Sequence, residues 1–314
     1  MKLSIIVPVY NVLPYIRQCL DSLVGQSLED YEIILIDDGS TDGTAQVLEE
    51  YAARFPEKIV LRRVENGGQG RARNIAIDMA KGEYLGFIDS DDWINTTMYE
   101  KLCKRAEDTG ADVVVCDFLA KYCDGREELL PACIQEHWLA SAGSACNKIF
   151  RRSLVGDTRF AEGLWYEDFY FSAMMLLLSS HTEFVSEPLY IYRRGQQSTM
   201  KNNNSAKNLD MLTIMDMLAD YILPHGFREE FEFFLVNHVL LDSVNRVARQ
   251  ETPDKREVLH RLIAYVRKHI PKLSQCESYR RESRNRRLIM GLNYLGLYGL
   301  SKCILNIKAR LSGR

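Results

Sequence analysis

The sequence predicts an α/β fold, in which a mostly parallel sheet carries helices on both faces and a helical region follows the sheet. Three observations support this prediction. Short β-branched runs alternate with amphipathic stretches up to about residue 118, as in a sheet built from strand–helix–strand units. Several of these runs are apolar throughout, which is typical of strands buried on both faces. From about residue 207 onward, apolar residues recur at helical spacing.

The first 118 residues are predicted to hold five strands with helices between them. The strands span residues 3–10, 32–38, 59–65, 83–89 and 112–118, and the helices span residues 14–25, 42–54, 69–80 and 97–109. In the C-terminal region, helices are predicted at residues 210–223, 229–250 and 256–269.

Composition excludes several classes of protein. The formal net charge of -3 argues against a nucleic-acid-binding protein, whose domains are usually strongly basic. The eight cysteines are scattered and form no CxxC pair, so we expect reduced thiols in the cytoplasm and not a disulfide or zinc framework. The apolar stretch from Leu3 to Val9 is short and contains Pro8, which indicates a buried strand and not a signal peptide.

The predicted carboxyl ends of the first four strands are unusually polar. Open parallel sheets bind ligands at this edge, so four separate chain segments are expected to converge on one site. These segments are Pro8-Val9-Tyr10-Asn11, Asp37-Asp38-Gly39-Ser40-Thr41-Asp42, Asn66-Gly67-Gly68-Gln69-Gly70-Arg71 and Asp89-Ser90-Asp91-Asp92.

Acidic pairs follow the second and fourth strands. Asp89 and Asp91 can present two carboxylates to a hard cation such as Mg²⁺ or Mn²⁺, or they can form an acidic turn that caps the next helix. Asp37 and Asp38 can accept hydrogen bonds from a nucleotide, or they can simply begin a helix. Two acidic clusters at one edge repel each other unless a cation or a hydrogen-bond donor lies between them, which favours ligand binding.

A glycine cluster precedes Arg71 and Arg73 at the start of the third predicted helix. Backbone N–H groups, the helix dipole and the guanidinium groups favour an anion there, although a flexible turn beside a basic helix face fits the same residues. The cluster follows the third strand and reads Gly-x-Gly-x-x-Arg from Gly68. It therefore does not match the dinucleotide-binding fingerprint, and a Walker motif is also absent from the sequence.

Two further segments carry charged residues among aromatic ones. Glu167 and Asp168 lie among five aromatic residues between positions 165 and 171. Burial against aromatic rings raises the pKa of a carboxylate and suits it to general-base catalysis, whereas two acids in the first turn of a helix are the structural alternative. Arg193 and Arg194 follow a tyrosine-rich run and either close over a diphosphate or remain solvated on an edge strand.

Five segments stand in a fixed order along the first 200 residues. They are Ser-Ile-Ile-Val-Pro-Val-Tyr-Asn at 4–11, Asp-Asp-Gly-Ser-Thr-Asp at 37–42, Gly-x-x-x-Ala-Arg-Asn at 68–74, Asp-Ser-Asp-Asp at 89–92 and Glu-Asp at 167–168. Their order and spacing resemble family 2 glycosyltransferases of the inverting, bacterial surface-glycan type. The resemblance implies the Rossmann-like GT-A fold over residues 1–200 and transfer from a nucleotide-diphosphate sugar, with UDP as the expected nucleotide.

The resemblance also implies roles for individual residues. Asp168 would be the general base, with Glu167 beside it, and Asp91 would coordinate Mn²⁺ or Mg²⁺. A metal-ligating histidine that some relatives carry has no counterpart in the stretch Arg194-Gly195-Gln196-Gln197-Ser198. The implied donor-binding residues are Pro8, Tyr10, Asp38, Gly68, Arg71, Asn74, Asp89, Ser90 and Arg193.

The same resemblance divides the chain into two domains. Residues 1–200 would form the catalytic domain, with a nucleotide-binding half at 1–118 and an acceptor half at 119–200. Residues 201–314 would form a helical region, and the polar tract at 201–205 is the expected linker. The implied reaction is one in-line displacement that inverts the anomeric carbon while Asp168 takes the proton of the acceptor hydroxyl.

The chain ends in a basic cluster followed by an apolar stretch. Five arginines between positions 280 and 287 precede residues 288–307, where Lys302 is the only charged residue. Glycines and asparagines make this stretch a poor membrane-spanning helix, so we expect an interfacial helix, or alternatively a helix that packs on the catalytic domain or in a homodimer. On a membrane, the acceptor would be a lipid-linked or surface glycan at the cytoplasmic face.

Two other functions share parts of this pattern. A nucleotidyltransferase would need a glycine-rich loop with a basic residue directly after the first strand, where this chain has Pro-Val-Tyr-Asn. A non-catalytic protein that binds sugar nucleotides would keep the fold and lose the chemistry, and the presence of Asp91 and Asp168 argues against it.

Overall fold

The computed structural model describes residues 1–132, 138–195 and 204–311. The chain divides into two compact units, Met1–Gln197 and Ser198–Arg314. The first unit contains the sheet and the second is helical.

The first unit is built on a sheet in which the described residues form nine strands. The strands are β1 (Leu3–Val9), β2 (Tyr31–Asp37), β3 (Ile59–Arg63), β4 (Tyr84–Phe87), β5 (Trp93–Ile94), β6 (Val113–Tyr122), β7 (Glu127–Leu130), β8 (Lys148–Arg151) and β9 (Thr182–Arg194). Their order is β3-β2-β1-β4-β8-β6-β9-β5, and β7 pairs with β6. The sheet is parallel from β3 to β4 and mixed beyond it, because β8 runs antiparallel to both β4 and β6.

The five predicted strands are present with shifted ends. The fourth ends at Phe87 and not at residue 89, because the chain turns away there into the acidic segment. The fifth, β6, continues to Tyr122 because it pairs with β9 along its whole length and with β7 at residues 118–121. The short strands β5, β7 and β8 were not predicted, since two to four residues are too few to show a periodic pattern.

Six helices lie between the described strands of the first unit: α1 (Ile16–Val24), α2 (Thr44–Arg54), α3 (Gln69–Met79), α4 (Met98–Thr109), α5 (Arg152–Val155) and α6 (Glu167–Leu178). In α1 the buried residues are Ile16, Cys19, Leu20 and Leu23, which lie on one face at helical spacing. All seven residues of β1 and all seven of β2 are buried, as their apolar sequences predict.

The second unit consists of helices α7 (Asp210–Ile222), α8 (Arg228–Phe234), α9 (Val244–Arg249), α10 (Lys255–His269), α11 (Glu277–Arg280), α12 (Arg284–Tyr294) and α13 (Tyr298–Leu311). A π-helical segment, Leu235–Ser243, joins α8 to α9, which confirms the helix predicted at 229–250. The prediction of one continuous helix over residues 288–307 is wrong, because Gly296 adopts a left-handed φ of 80° and separates α12 from α13. Among the described residues, no helix is long and apolar enough to cross a membrane.

Candidate active site

The loops after β1 and β2 are tied to each other by Asn11. This residue has a left-handed φ of 49°, which asparagine tolerates better than most residues. Its backbone N–H donates to Ser40 Oγ at 3.1 Å, and its side-chain Oδ1 accepts from the Thr41 N–H at 2.8 Å. The first two predicted segments are therefore joined at the sheet edge.

Asp37 and Asp38 are both buried, and each is supplied with hydrogen-bond donors from the protein. Asp37 accepts from the Ser40 N–H at 2.9 Å and pairs with Arg63 Nε at 3.3 Å. Asp38 accepts from the backbone N–H groups of Gly67 and Gly68, one on each carboxylate oxygen, both at 2.8 Å. These donors offset the repulsion between neighbouring acids, and Asp38 thereby holds the loop after β3 against the end of β2.

The glycine loop itself is shaped by its neighbours. Gly68 has a φ of 88°, a conformation that side-chain-bearing residues rarely adopt. A Cβ at Gly67 would lie 2.5 Å from Arg71 Cδ, so this glycine leaves room for the arginine side chain. Arg71 Nη1 in turn donates to the Glu65 carbonyl at 2.9 Å, which keeps the guanidinium beside the loop.

Arg73 lies at the centre of the charged residues. It is 1% exposed, and its Nη2 donates to Asp89 Oδ1 at 2.7 Å while its Nη1 donates to Glu167 Oε1 at 2.9 Å. Its guanidinium also lies over the Phe160 ring, 5.1 Å from the centroid. Burial lowers the Arg73 pKa, but the charges of Asp89 and Glu167 outweigh burial and the pKa is raised, so the side chain stays charged.

The predicted acidic pair Glu167-Asp168 forms the first turn of α6, directly after Tyr166, which has a left-handed φ of 70°. Glu167 is buried and also accepts from Gln69 Nε2 at 2.6 Å. Asp168 is only partly exposed, and its Oδ1 accepts from the Phe169 N–H at 2.7 Å. Burial, with the neighbouring Glu167 charge adding to it, raises the Asp168 pKa to about 7.

A buried lysine lies close enough to interact electrostatically with Asp168. Lys148 is fully buried, and its Nζ donates to the Ser144 carbonyl and to Asn147 Oδ1, both at 2.6 Å. Burial lowers the Lys148 pKa to about 7, and the negative charge of Asp168 opposes this change. Lys148 was not among the residues that the sequence pattern pointed to.

The acidic segment after β4 is a tight turn, closed by a 3.0 Å hydrogen bond from the Asp92 N–H to the Asp89 carbonyl. Asp92 is buried and accepts from Tyr190 Oη and from the Arg193 backbone N–H, each at 2.8 Å. Ser90 is buried as well, whereas Asp89 and Asp91 are partly exposed. The turn thus directs one carboxylate inward and leaves two at the surface.

Arg193, near the end of β9, holds this turn in place. Its Nε donates to the Asp91 carbonyl at 2.8 Å, and its Nη2 donates to Gln18 Oε1 at 2.7 Å. The guanidinium also lies over the rings of Trp93 and Tyr15, at 4.5 Å and 4.9 Å from their centroids. Gln196 to Ser198 follow in the sequence and belong to the stretch that lacks the metal-ligating histidine of some relatives. They lie outside the described residues.

Three further predicted donor-binding residues, Pro8, Tyr10 and Asn74, differ in how far they are buried. Pro8 is buried within β1 opposite Ile36, and Tyr10, just beyond the strand, is 48% exposed. Asn74 is buried, and its Nδ2 donates to the Phe160 carbonyl at 3.0 Å and to Glu162 Oε1 at 2.9 Å. Its Oδ1 accepts from the Phe160 N–H at 2.8 Å. Asn74 therefore fixes the segment that leads to α6.

Arg73 was expected to attract an anion or to lie on a basic helix face, Asp92 received no role of its own, and the buried contacts of both residues were not predicted. Each acts through partners that are far away in the chain, at positions 167 and 190. A buried charge inside an otherwise apolar helix face was the available signal for Arg73, since such a group requires ionic partners. Among the described residues, no group of three or more His, Cys, Asp or Glu is arranged to hold a metal ion.

Comparison with protein families and with curated proteins gives matches over most of the chain. A family model described as glycosyl transferase family 2 matches residues 4–194. EpsH of Bacillus subtilis strain 168, whose name describes a glycosyltransferase, is 30% identical over 264 residues, covering 77% of this chain and 76% of EpsH. The poly(ribitol-phosphate) beta-N-acetylglucosaminyltransferase TarS of Staphylococcus aureus strain Mu50 is 28% identical over 258 residues, covering 78% of this chain and 44% of TarS.

Two solved structures resemble the fold. The crystal structure of S. aureus TarS 1–349 in complex with UDP-GlcNAc has a TM-score of 0.77 and 23% identity, covering 100% of this chain and 93% of that one. The mannosyltransferase PcManGT from Pyrobaculum calidifontis, in complex with GDP-Man and Mn²⁺, has a TM-score of 0.52 and 16% identity, covering 98% and 84%. These structural similarities confirm the predicted GT-A architecture with a helical C-terminal region.

Proposed function

Because the chain belongs to glycosyltransferase family 2, we propose that it moves a sugar from a nucleotide-diphosphate sugar to an acceptor hydroxyl in one displacement that inverts the anomeric carbon. The family membership makes it a glycosyltransferase and excludes the nucleotidyltransferase considered above. The observation that carries the finer proposal is Asp168, a partly exposed carboxylate beside Glu167 with a pKa raised to about 7.

Asp168 has the properties that a general base requires. A base works best when its pKa is near the operating pH, because it is then deprotonated often enough and still accepts a proton strongly. The hydrogen bond from the Phe169 N–H fixes one carboxylate oxygen of Asp168. The proposed step is removal of the acceptor hydroxyl proton by this carboxylate as the hydroxyl oxygen bonds to the anomeric carbon and the bond to the diphosphate breaks.

Glu167 serves a different purpose in the proposal. Its Oε1 already accepts from Arg73 and from Gln69, so it is held in place by two donors. We propose that Glu167 lies near the donor and acceptor sugars. Because its carboxylate is fixed, it also orients α6 and therefore Asp168. Because Arg73 also bonds to Asp89, it connects Glu167 to the end of β4.

The proposed donor site is the sheet edge between the ends of β1, β2 and β4. Pro8, Tyr10, Asp38, Gly68, Arg71, Asn74, Asp89, Ser90 and Arg193 are the residues assigned to it. Within this set, Asp38, Asn74 and Arg193 act by shaping loops, because their described hydrogen bonds go to other parts of the protein. Tyr10, Asp89 and Asp91 keep exposed surface toward a ligand.

A UDP-linked donor is the best supported choice. The TarS structures were determined with UDP-GlcNAc and with UDP, and both align over the whole of this chain. PcManGT, which carries GDP-Man, has the lower TM-score. The donor sugar is to be identified by experiment, because different sugars are distinguished by contacts to their hydroxyl groups and not by contacts to the nucleotide.

The residues of the acidic turn fit a hard divalent cation. Asp89 and Asp91 are two partly exposed carboxylates one residue apart, while Asp92 is turned inward to Tyr190. Mg²⁺ and Mn²⁺ need only one or two carboxylates when water and substrate phosphates complete the shell, so the lack of a third ligand among the described residues is compatible with them. Asp91, whose carboxylate is partly exposed, is the proposed ligand, as the resemblance to the family implies. A bound ion would supply positive charge beside the departing diphosphate.

The proposed acceptor is a hydroxyl of a glycan or a lipid-linked glycan in cell-surface polysaccharide biosynthesis. Support comes from relatives named for poly(ribitol-phosphate), including the beta-glucosyltransferase of Bacillus spizizenii and TarS. We also propose a cytoplasmic location, at the inner face of the membrane. The seven cysteines among the described residues are free thiols, which suits a reducing compartment.

A screen of UDP- and GDP-sugars tests the proposal directly. Each donor is incubated with the enzyme and Mn²⁺, and donors that raise the melting temperature are then assayed with ribitol-phosphate and oligosaccharide acceptors. We expect a UDP-sugar to be consumed and proton NMR to show a product of inverted anomeric configuration. A product that retains the donor configuration would rule out the single displacement.

A further inference from the structure

The helices α12 and α13 of the second unit expose an unusual number of apolar side chains. Among the described residues, ten large apolar side chains are strongly exposed, and five of them lie between positions 288 and 307. They are Leu288, Leu295, Leu297, Leu300 and Ile307, of which Leu295 is 65% exposed. Single exposed leucines are common on proteins, but a cluster within twenty residues marks an interaction site.

The exposed residues follow one face of each helix. On α12, Arg284 and Leu288 recur at helical spacing and are exposed, and Leu295 continues the row just beyond the helix. On α13, Leu300, Cys303 and Ile307 recur in the same way and are exposed. Each helix thus presents exposed apolar side chains along one face.

The opposite faces of these helices are anchored in the second unit. Ile289, Met290 and Asn293 of α12 are buried, and Asn293 Nδ2 donates to the Leu240 carbonyl at 2.9 Å. Ser301 of α13 is buried and donates to Asn293 Oδ1 at 2.6 Å. The two helices are therefore packed by their inner faces, and the outer leucines are not needed for that packing.

The same region is strongly basic although the chain as a whole is acidic. Residues 271–314 contain ten Lys and Arg and two Glu, against a formal net charge of -3 for all 314 residues. Arg280 and Arg281 pair with Glu277, and Arg286 pairs with Glu282. Arg284 and Arg287 are exposed on α12, and within the described parts of the chain they form no ion pair. Their charge is thus available to an acidic partner.

We propose that the outer face of α12 and α13 docks on an anionic lipid surface, with the leucines at the boundary of headgroups and acyl chains and with Arg284 and Arg287 against lipid phosphates. Exposed apolar residues combined with basic residues on the same surface are the pattern of interfacial helices. Each basic residue near an anionic bilayer adds to the attraction. This docking is independent of the proposed transfer reaction, since no residue of the candidate site takes part.

Co-sedimentation of the full chain with vesicles tests the proposal. The vesicles are made of phosphatidylcholine, with or without phosphatidylglycerol. Two variants remove the lipid contacts: Leu295→Ser with Leu300→Ser, and Arg284→Gln with Arg287→Gln. Leu129→Ser is the matched control, because Leu129 is 54% exposed on β7 in the other unit.

We expect the wild-type chain and the control to sediment with the phosphatidylglycerol vesicles, and each double variant to partition at least about tenfold more weakly. Circular dichroism melting shows that the variants remain folded, and unchanged UDP binding separates loss of docking from loss of the donor site. Equal binding by the double variants would overturn the proposal. The proposal would also be overturned if the wild-type chain does not bind vesicles and light scattering shows a dimer that dissociates in the leucine variant. A second copy of the chain would then cover this face.

Discussion

Arg73 and Glu167 lie 94 residues apart in the chain, and their side chains meet in a buried ion pair with an Nη1–Oε1 distance of 2.9 Å. The same guanidinium bonds Asp89 at 2.7 Å. One side chain thus links α3 to the end of β4 and to the first turn of α6. The proposed donor and acceptor sides of the site depend on this arginine for their relative positions.

Replacing Arg73 with lysine tests that link. A lysine ammonium is a point charge and cannot span both carboxylates as the planar guanidinium does. We expect Arg73→Lys to lower the free energy of unfolding by about 3 kcal/mol, as breaking a buried ion pair usually does. Urea unfolding measures the loss. Arg159→Lys is the control, because Arg159 pairs with Asp78 near the surface and a surface pair contributes about 0–1 kcal/mol. Equal effects of the two changes would contradict the bridging role.

Asp91 is expected to control the metal dependence of donor binding. Calorimetric titration of UDP with and without Mn²⁺ should show tighter binding with the ion in the wild-type chain, and Asp91→Ala should remove that difference because the proposed carboxylate ligand is gone. Asp124→Ala serves as the control, since Asp124 is an exposed carboxylate that pairs with Arg126. Undiminished enhancement by Mn²⁺ in Asp91→Ala would mean that the ion binds elsewhere.

Asp38 is expected to hold the glycine loop. In Asp38→Asn, one carboxylate oxygen is replaced by an NH₂ group, which cannot accept the backbone hydrogen bond from Gly67 or Gly68. The loss of one buried hydrogen bond costs about 1–3 kcal/mol, so the loop should open more often. Hydrogen exchange of the amides at positions 67 and 68 reports this directly. Asp30→Asn, at an exposed carboxylate, is the comparison, and unchanged protection at both glycines would refute the proposed contact.

Asp168 should also make stability depend on pH. Its folded-state pKa of about 7 lies above the ordinary value of 3.8, so between these pH values the folded chain keeps a proton that the unfolded chain has released. The resulting stabilisation is complete below pH 3.8 and is lost as the pH rises through 7. Thermal melts of wild type and Asp168→Asn are compared at pH 5.5 and 8. We expect the variant to gain stability relative to wild type by about 1–2 kcal/mol at the higher pH. A difference that does not change with pH would contradict the raised pKa.

The sequence was sufficient to predict the parallel half of the sheet. β1 and β2 are buried on both faces, so their apolar runs stand out, and the polar residues after them lie at the sheet edge as expected. The short strands β7 and β8 could not be predicted, because four residues are too few to show a periodic pattern, and β8 in addition pairs with strands far away in the chain.

The sequence singled out residues for the candidate site but did not predict the contacts between them. Asp89 and Glu167 were singled out from the sequence, yet Arg73, which joins them, was expected to attract an anion or to lie on a basic helix face. Likewise, Asp38 was expected to contact the donor, and the two backbone hydrogen bonds that its carboxylate accepts were not predicted. Such contacts depend on side-chain directions across the sheet edge, which periodicity and composition do not encode.

Substitution of Asp168 by asparagine tests the account most directly. Asparagine has nearly the same shape but cannot accept the proton, so transfer to the acceptor should fall by about 10²- to 10⁴-fold. Binding of the UDP-sugar should stay within a few-fold of wild type, because the base contacts the acceptor. Asp157→Asn, at an exposed carboxylate of the same unit, should leave both quantities unchanged. If Asp168→Asn transfers sugar at the wild-type rate while its donor binding is intact, Asp168 is not the base.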